Sequence, residues 1–139
     1  MGRAAAWLAK QVELALAEVG LSLPQYRVLG VLSEGSAMPS TMAERLAVRP
    51  PSVSAMVDGM VGRGLIERRH SDDDRRTVRH ELTAEGLRLL AAADLAVEAR
   101  LGAVAGCLPD QQDSERALEG LLLWQQATRA HHRARMATR

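Results

Sequence analysis

The sequence predicts a mainly α-helical fold with one small β-hairpin. Residues that favour helices, chiefly Ala, Leu, Glu and Arg, are abundant, whereas Phe is absent and aromatic residues make up only 2% of the chain. This composition suits helices packed on helices better than two packed sheets. The chain has 139 residues, and 47% of them are hydrophobic, which is enough for one domain with its own core.

Two helices are predicted at the start of the chain. Apolar residues recur at helical spacing over residues 3–19, and Gly20 ends that pattern. A second helix follows over about residues 23–34. Ser22 precedes Gln25 by three residues, which is the pattern of a capping box at the helix start.

Two further helices are predicted on either side of a tight turn. The first is short, about residues 39–46, and its inward side chains are Met42, Ala43 and Leu46. The second begins at two prolines, which pre-set the backbone of a helix start, and Gly64 ends it. The apolar residues that recur at helical spacing in it, and are expected to face the core, are Val53, Met56, Val57, Met60 and Val61.

A β-hairpin is predicted to follow this pair of helices. Residues 65–69 and 77–82 favour strands, and the polar residues 71–76 favour a turn between them. Two helices joined by a tight turn and followed by a hairpin are typical of a helix-turn-helix with an appended wing. In that motif, the second helix of the pair lies in the major groove of DNA.

Two long helices complete the chain, one that Thr83 can cap and one over about residues 111–131. The helices at both chain ends are more apolar than the central motif needs to cover itself, which favours a twofold dimer. We therefore predict one domain over residues 1–139. It comprises a winged helix-turn-helix at 22–83, a connecting helix at 84–105, and dimerisation arms at 1–21 and 106–139.

Charge and cysteine content narrow the class of protein. The net charge is +1, so an anionic partner must meet a local patch, and Arg supplies nearly all of the positive charge. The single cysteine, Cys107, excludes an intramolecular disulfide framework and a Cys-based zinc site within one chain. Neither a signal peptide nor a membrane-spanning stretch is evident. We expect a cytoplasmic protein, associated with the nucleoid when bound to DNA, without cofactor, metal or membrane partner.

The fourth helix carries small polar side chains near its start. Ser52, Ser54 and Ala55 would let the backbone approach base edges closely, with hydroxyls to donate or accept hydrogen bonds and methyl groups to meet thymine. Arg49, just before this helix, is placed to touch a phosphate. The sequence therefore predicts that this helix reads the major groove.

The predicted wing mixes acids with arginines in the stretch HSDDDRRTVRHELTAEG. A carboxylate beside an arginine limits its rotamers and aims the guanidinium, so Asp74 can hold Arg76 ready for the narrow, negative minor groove. Asp72 and Asp73 weaken the attraction to phosphates. Asp72, Asp73 and Asp74 lack the alternating spacing of a calcium loop.

The long stretch MPSTMAERLAVRPPSVSAMVDGMVGRGLIERRHSDDDRRTVRHELTAEG resembles the MarR family of winged helix-turn-helix regulators. The likeness includes an Asp-x-Arg wing signature at Asp74 and Arg76. It also includes a Leu-Thr-x-x-Gly motif at residues 82–86, after the wing. The stretch LSLPQYRVLGVL is similar to the family's second helix. Members often have Ser or Thr caps where this chain has Met38 and Arg49.

The resemblance implies a homodimeric regulator, expected to be a repressor, on a pseudo-palindromic DNA operator, with many members released by small phenolic or other aromatic ligands. The ligand-binding residues expected here are Trp7, Gln11 and Tyr26. The DNA contacts expected here are Ser40, Thr41, Arg49, Pro51, Ser52, Val53, Ser54, Ala55, Arg63, Arg69, Asp74, Arg75 and Arg76.

Three other interpretations are open. Cys107 could make a redox-responsive regulator, although a lone cysteine is more often a small buried apolar residue. The wing could instead meet protein, in an interaction module without a ligand. An enzyme is disfavoured, because the aspartates and histidines form no nucleophile–base constellation, and the adjacent His131 and His132 point apart on a helix.

Overall fold

The computed structural model describes residues 1–70 and 78–137. It is mostly helical with one two-stranded antiparallel sheet, which confirms the predicted fold class. The elements in chain order are α1 (Gly2–Glu18), α2 (Leu23–Ser33), α3 (Pro39–Leu46), α4 (Pro50–Gly62), β1 (Ile66–His70), β2 (Val78–Leu82), α5 (Ala84–Ala105) and α6 (Gln111–Ala137).

The chain forms two compact units, Met1–Val97 and Glu98–Arg139. The first unit contains the main hydrophobic core, built from α1 to α4, the start of β1 and the first half of α5. The side chains predicted to face inward from α3 are all buried. On α4, the buried residues are Val53, Val57 and Met60, and Met56 and Val61 pack against them in part.

The start of α2 has the predicted capping box. The Gln25 amide donates to the Ser22 hydroxyl oxygen over 3.3 Å, and the Ser22 amide donates to the Gln25 side-chain oxygen over 3.0 Å. Both bonds satisfy amides that the helix itself cannot pair. The helix then ends at Ser33.

The hairpin pairs Ile66 with Leu82 and Arg68 with His80. A third segment joins its edge, because the Ala37 amide donates to the His80 carbonyl (3.1 Å) and the His80 amide donates to the Ala37 carbonyl (2.8 Å). This bridge fastens the connection between α2 and α3 to β2. The predicted turn at residues 71–76 lies outside the described residues.

Helix α5 begins in close contact with the end of α4. The Gly86 amide donates to the Thr83 hydroxyl (3.0 Å), so Thr83 caps this helix as predicted, and its hydroxyl donates to the Gly64 carbonyl (2.6 Å). A Cβ atom on Gly86 would lie 2.1 Å from the Leu65 carbonyl oxygen. Only glycine fits this approach.

The second unit contains the end of α5 and all of α6. The Ser114 hydroxyl donates to the Ala105 carbonyl over 2.7 Å, which holds the first turn of α6 against the end of α5. Helix α6 continues beyond the predicted end at residue 131 to Ala137. Large exposed apolar side chains occur along it at Leu118, Leu122, Leu123 and Trp124.

Candidate nucleic-acid interface

The turn between α3 and α4 is tight and well supported. Ala47 takes a left-handed backbone conformation, with φ at 54°, and the Val48 amide donates to the Ala43 carbonyl over 3.0 Å. The Arg27 side chain on α2 donates to the Leu46 carbonyl over 2.9 Å. These bonds satisfy carbonyls at the end of α3 and set the direction in which α4 leaves.

Helix α4 presents a face of small side chains on the side opposite its buried residues. Pro51, Ser52, Ser54 and Ala55 are exposed. The Ser54 hydroxyl donates to the Pro50 carbonyl over 3.2 Å, which fixes its rotamer and leaves its oxygen free to accept a hydrogen bond. A face this shallow permits close approach of the helix backbone to another surface.

One residue of the expected contact set is corrected by the structure. Val53 is 0% exposed and belongs to the hydrophobic core, so its side chain cannot meet a base. Its position follows from helical geometry, because Val53 and Val57 lie on the same face four residues apart. We therefore assign Val53 to packing.

The starts of α3 and α4 lack side-chain caps. Met38 and Arg49 occupy the two N-cap positions, and neither side chain makes a capping hydrogen bond. Arg49 is exposed beside the first turn of α4. On α3, Ser40 is exposed and Thr41 is half-buried. Each helix start therefore keeps backbone amides without a side-chain cap, and Arg49 adds a positive charge at the start of α4.

Two of the expected arginines already have partners. Arg63 donates to the Gly20 carbonyl over 3.0 Å and so links the end of α4 to the turn after α1. Arg69 donates to Glu67 over 2.8 Å and lies 3.0 Å from Glu81. The hydrogen bond to Glu67, and then the two carboxylate charges, raise the pKa of Arg69. Its charge is therefore partly compensated before any anion approaches.

A cleft of about 450 Å³ separates α4 from the hairpin. Across it, Arg68 of β1 forms an ion pair with Asp58 of α4, which ties the hairpin to the exposed side of the helix. The cleft is lined by Pro39, Ser54, Val57, Asp58, Arg68, His70, Val78 and His80. The position of the hairpin relative to α4 is thus set by side chains on both walls.

His80 is the buried polar residue of the core in the part of the chain that the structure describes. It is 4% exposed, and its ring nitrogen Nδ1 has no hydrogen-bond partner among the described residues. Burial and the neighbouring Arg68 charge lower the pKa of His80, against smaller opposing effects of Asp58 and the Ala37 carbonyl. Burial of the ring therefore favours its neutral form.

The remaining expected residues belong to the wing and to the expected ligand contacts on α1 and α2. Asp74, Arg75 and Arg76 lie outside the described residues. Trp7 is 72% exposed on α1, while the half-buried Tyr26 donates to Asp94 of α5 over 2.5 Å. Neither of them, nor Gln11, lines the cleft beside α4.

Other sequence expectations concern Cys107, metals and membranes. Cys107 is exposed, contrary to the expectation of a small buried residue. Among residues 1–70 and 78–137, no group of three or more His, Cys, Asp or Glu side chains is placed to hold a metal ion. None of the helices described is both long and apolar enough to cross a membrane.

The sequence patterns assign no role to Asp58, Arg68 or His80. The signal that could have identified Arg68 is the alternation of side chains along a strand. Ile66 and Arg68 lie on the same face of β1, and an apolar residue such as Ile66 is expected to face the core. That signal places Arg68 toward α4, but the partner of each strand residue depends on the hairpin register.

Comparisons with known proteins agree with this geometry. The sequence model that describes the MarR family matches residues 19–77 of this chain. The HTH-type transcriptional repressor Rv2887 of Mycobacterium tuberculosis is 30% identical over 122 residues, which are 86% of this chain and 88% of that protein.

Two solved structures of the transcriptional repressor CouR are also similar. One, bound to a 23-mer DNA duplex, has a TM-score of 0.73 and 30% identity, covering 88% of this chain and 86% of that one. The other, from Rhodococcus jostii and bound to p-coumaroyl-CoA, has a TM-score of 0.68 and 27% identity, covering 86% and 85%.

Proposed function

This chain belongs to the MarR family of transcriptional regulators, and from that membership we propose that it is a homodimeric repressor of a pseudo-palindromic DNA operator. One observation carries the proposal. The exposed face of α4 is formed by small side chains, and the ion pair between Asp58 and Arg68 holds a hairpin beside it. A helix and a hairpin held side by side suit adjacent major and minor grooves.

Each contact has a separate task in this proposal. Ser52, Ser54 and Ala55 meet base edges, and Pro51 packs at the groove wall. Arg49 and the helix starts at Ser40 and Thr41 meet phosphates, which fix the register of the protein on the duplex. Arg69, on β1, meets the DNA backbone from the hairpin. Asp74, Arg75 and Arg76 are expected to act from the predicted turn of the hairpin, with Arg76 in the minor groove.

Dimerisation is proposed through arms at residues 1–21 and 106–139, on either side of the winged motif at 22–83 and the connecting helix at 84–105. Exposed Leu122, Leu123 and Trp124 on α6 and exposed Trp7 on α1 give each arm apolar surface to bury. A twofold dimer would present two copies of α4 roughly 34 Å apart, one turn of B-DNA.

A DNA-binding titration tests the proposal directly. Fluorescence anisotropy with a labelled fragment from upstream of the gene should show preference over unrelated DNA and a steep fall of affinity with salt. Arg76→Ala should weaken binding. Arg116→Ala, which removes an exposed charge from α6, is the matched control and should not. Binding without sequence preference would contradict an operator-specific repressor and favour the interaction module.

The dimer has its own test. Leu122→Asp places a charge in the apolar side of α6, and we expect it to lower the sedimentation-derived mass toward one chain. Ala91→Asp adds the same charge at an exposed position of α5, outside the proposed arms, and should preserve the dimer. A wild-type protein that sediments as one chain would contradict the homodimer.

We also propose that a small aromatic ligand releases the repressor from DNA, with Trp7, Gln11 and Tyr26 as its contacts. The support is the likeness to CouR, which binds p-coumaroyl-CoA. Coupling of about 1 to 3 kcal/mol between ligand and DNA would suffice for regulation. Salicylate and p-coumaroyl-CoA should be added to the anisotropy assay, and release by neither would contradict this part of the proposal.

A further inference from the structure

His80 stands out because it is a titratable side chain at the centre of the joint between the hairpin and the helix pair. It is 4% exposed, and Nδ1 is buried without a hydrogen-bond partner among the described residues. Its backbone pairs with Arg68 on one side and with Ala37 on the other. A change at this one residue therefore reaches β1, β2 and the connection before α3.

Among residues 1–70 and 78–137, the charges around His80 do not offer a buried cation a partner of its own. Arg68, opposite His80 in the sheet, is positive, and Asp58 of α4 is already paired with that arginine. His70 of β1 lies on the same sheet face, diagonally across from His80. On β2 itself, Arg79 and Glu81 point to the other face. Ala37 and Pro39, from the segment before and at the start of α3, bring no charge.

A protonated His80 ring would need contact with water, and its buried position prevents that contact. An uncompensated buried charge costs several kcal/mol, and a protein relieves that cost by exposing the group. The cleft between α4 and the hairpin adjoins the ring and provides the route, since His80 is one of its lining residues. Hydration of the ring by this route requires the hairpin to move away from α4.

We propose that His80 is a positioning residue for DNA binding: its neutral ring holds the hairpin against α4, and its protonation releases the hairpin and weakens binding to the operator. This inference rests on the proposed function, because it gives the joint a role only if helix and wing grip DNA together. It assigns the repressor a response to acid that is separate from any ligand.

The experiment compares wild type with His80→Gln, which keeps a polar side chain and cannot be protonated. Dissociation constants for the operator fragment are measured from pH 7.5 to pH 5.5 at constant salt. The ratio of the wild-type to the variant constant cancels the general gain in affinity that acid gives any DNA-binding protein. We expect this ratio to rise as the pH falls, by up to about tenfold per pH unit for each protomer.

His70→Gln is the matched control, since it removes the exposed histidine of the same hairpin face. It keeps His80, so the ratio of the wild-type constant to its own should stay constant with pH, and its constant divided by that of His80→Gln should rise as wild type does. A ratio that stays constant for His80→Gln would overturn the role of His80. Failure of every protein to bind DNA at any pH would instead overturn the proposed function.

Two readouts guard against a variant that folds poorly. His80→Leu fills a similar volume without a titratable group, and its dissociation constant should show the same pH dependence as that of His80→Gln. In wild-type protein, a histidine-ring NMR titration should place the midpoint of His80 below 6.5, the ordinary value. A midpoint at or above that value would mean that the buried site does not resist the charge, and the proposal would fall.

Discussion

Tyr26 on α2 donates a hydrogen bond of 2.5 Å to a carboxylate oxygen of Asp94 on α5. The bond joins the helix that supports the reading motif to the connecting helix, across 68 positions of sequence. Burial of the ring, followed by the hydrogen bond and the charge of Asp94, raises the pKa of Tyr26 well above its ordinary value of 10.0.

Tyr26→Phe should lower the free energy of unfolding by about 1 kcal/mol, because it removes the hydroxyl and keeps the ring packing. Urea denaturation measures the change. Asp94→Asn keeps an acceptor for the hydroxyl and should cost less. A larger loss for Asp94→Asn than for Tyr26→Phe would show that Asp94 acts through some other contact.

The raised pKa of Tyr26 predicts a loss of stability in alkali. Below pH 10 the tyrosine is neutral in both states, so its contribution is fully present. Above that pH the unfolded chain loses the proton first, and stability falls as pH rises toward the folded pKa. Urea midpoints across the alkaline range should show this fall in wild type and less of it in Tyr26→Phe. Parallel curves for the two proteins would contradict the assignment.

Gly86→Ala should be strongly destabilising, by about 2 kcal/mol or more, because the new Cβ would lie 2.1 Å from the Leu65 carbonyl oxygen. Gly102→Ala, in the same helix, meets nothing within 4 Å of its new Cβ. It should stabilise by about 0.5 to 1 kcal/mol through helix propensity. Thermal unfolding of both variants gives the comparison, and equal shifts would refute the close approach at Gly86.

Ala47→Gly should stabilise the chain by up to about 1 kcal/mol, because a residue with a side chain is strained at a φ of 54°. The same change at Ala91, an exposed helical residue of α5, should cost about 1 kcal/mol instead. Chemical denaturation distinguishes the two signs. Destabilisation at Ala47 would mean that the turn between α3 and α4 gains from its methyl group.

Arg49→Ser should raise stability and weaken DNA binding. Serine can cap α4, where Arg49 makes no capping bond, for a gain of about 1 kcal/mol. Loss of one phosphate contact in each protomer of the dimer should reduce the slope of log affinity against log salt by about 2. Met38→Ser offers the same gain at α3 without removing a charge. An unchanged slope for Arg49→Ser would remove Arg49 from the proposed contacts.

Local signals in the sequence predicted most of the fold. The capping box of Ser22 and Gln25 and the cap of Thr83 on Gly86 both lie within four residues of chain, so their partners were visible in the sequence. The helical spacing of Val53 likewise predicted a buried side chain. That spacing excludes Val53 from the DNA contacts expected around it, because a helix offers DNA only one face.

Such local signals do not predict the contact between α4 and the hairpin. The pairing of Asp58 with Arg68 and the burial of His80 depend on which residues oppose each other in the hairpin. That register is fixed by tertiary packing and by the turn, and neither can be deduced from composition or period. Asp58, Arg68 and His80 determine how α4 and the hairpin pack together. The sequence alone therefore does not predict the contacts of these polar side chains.

The backbone pair between Ala37 and His80 has a consequence for biosynthesis. It closes a ring of polypeptide that contains α3, α4 and β1, and the ring cannot shut while the ribosome still covers β2. The nascent helices can form earlier, but the reading surface acquires its final shape only after synthesis has passed His80. A translational pause before that codon would leave an incomplete domain exposed to proteases.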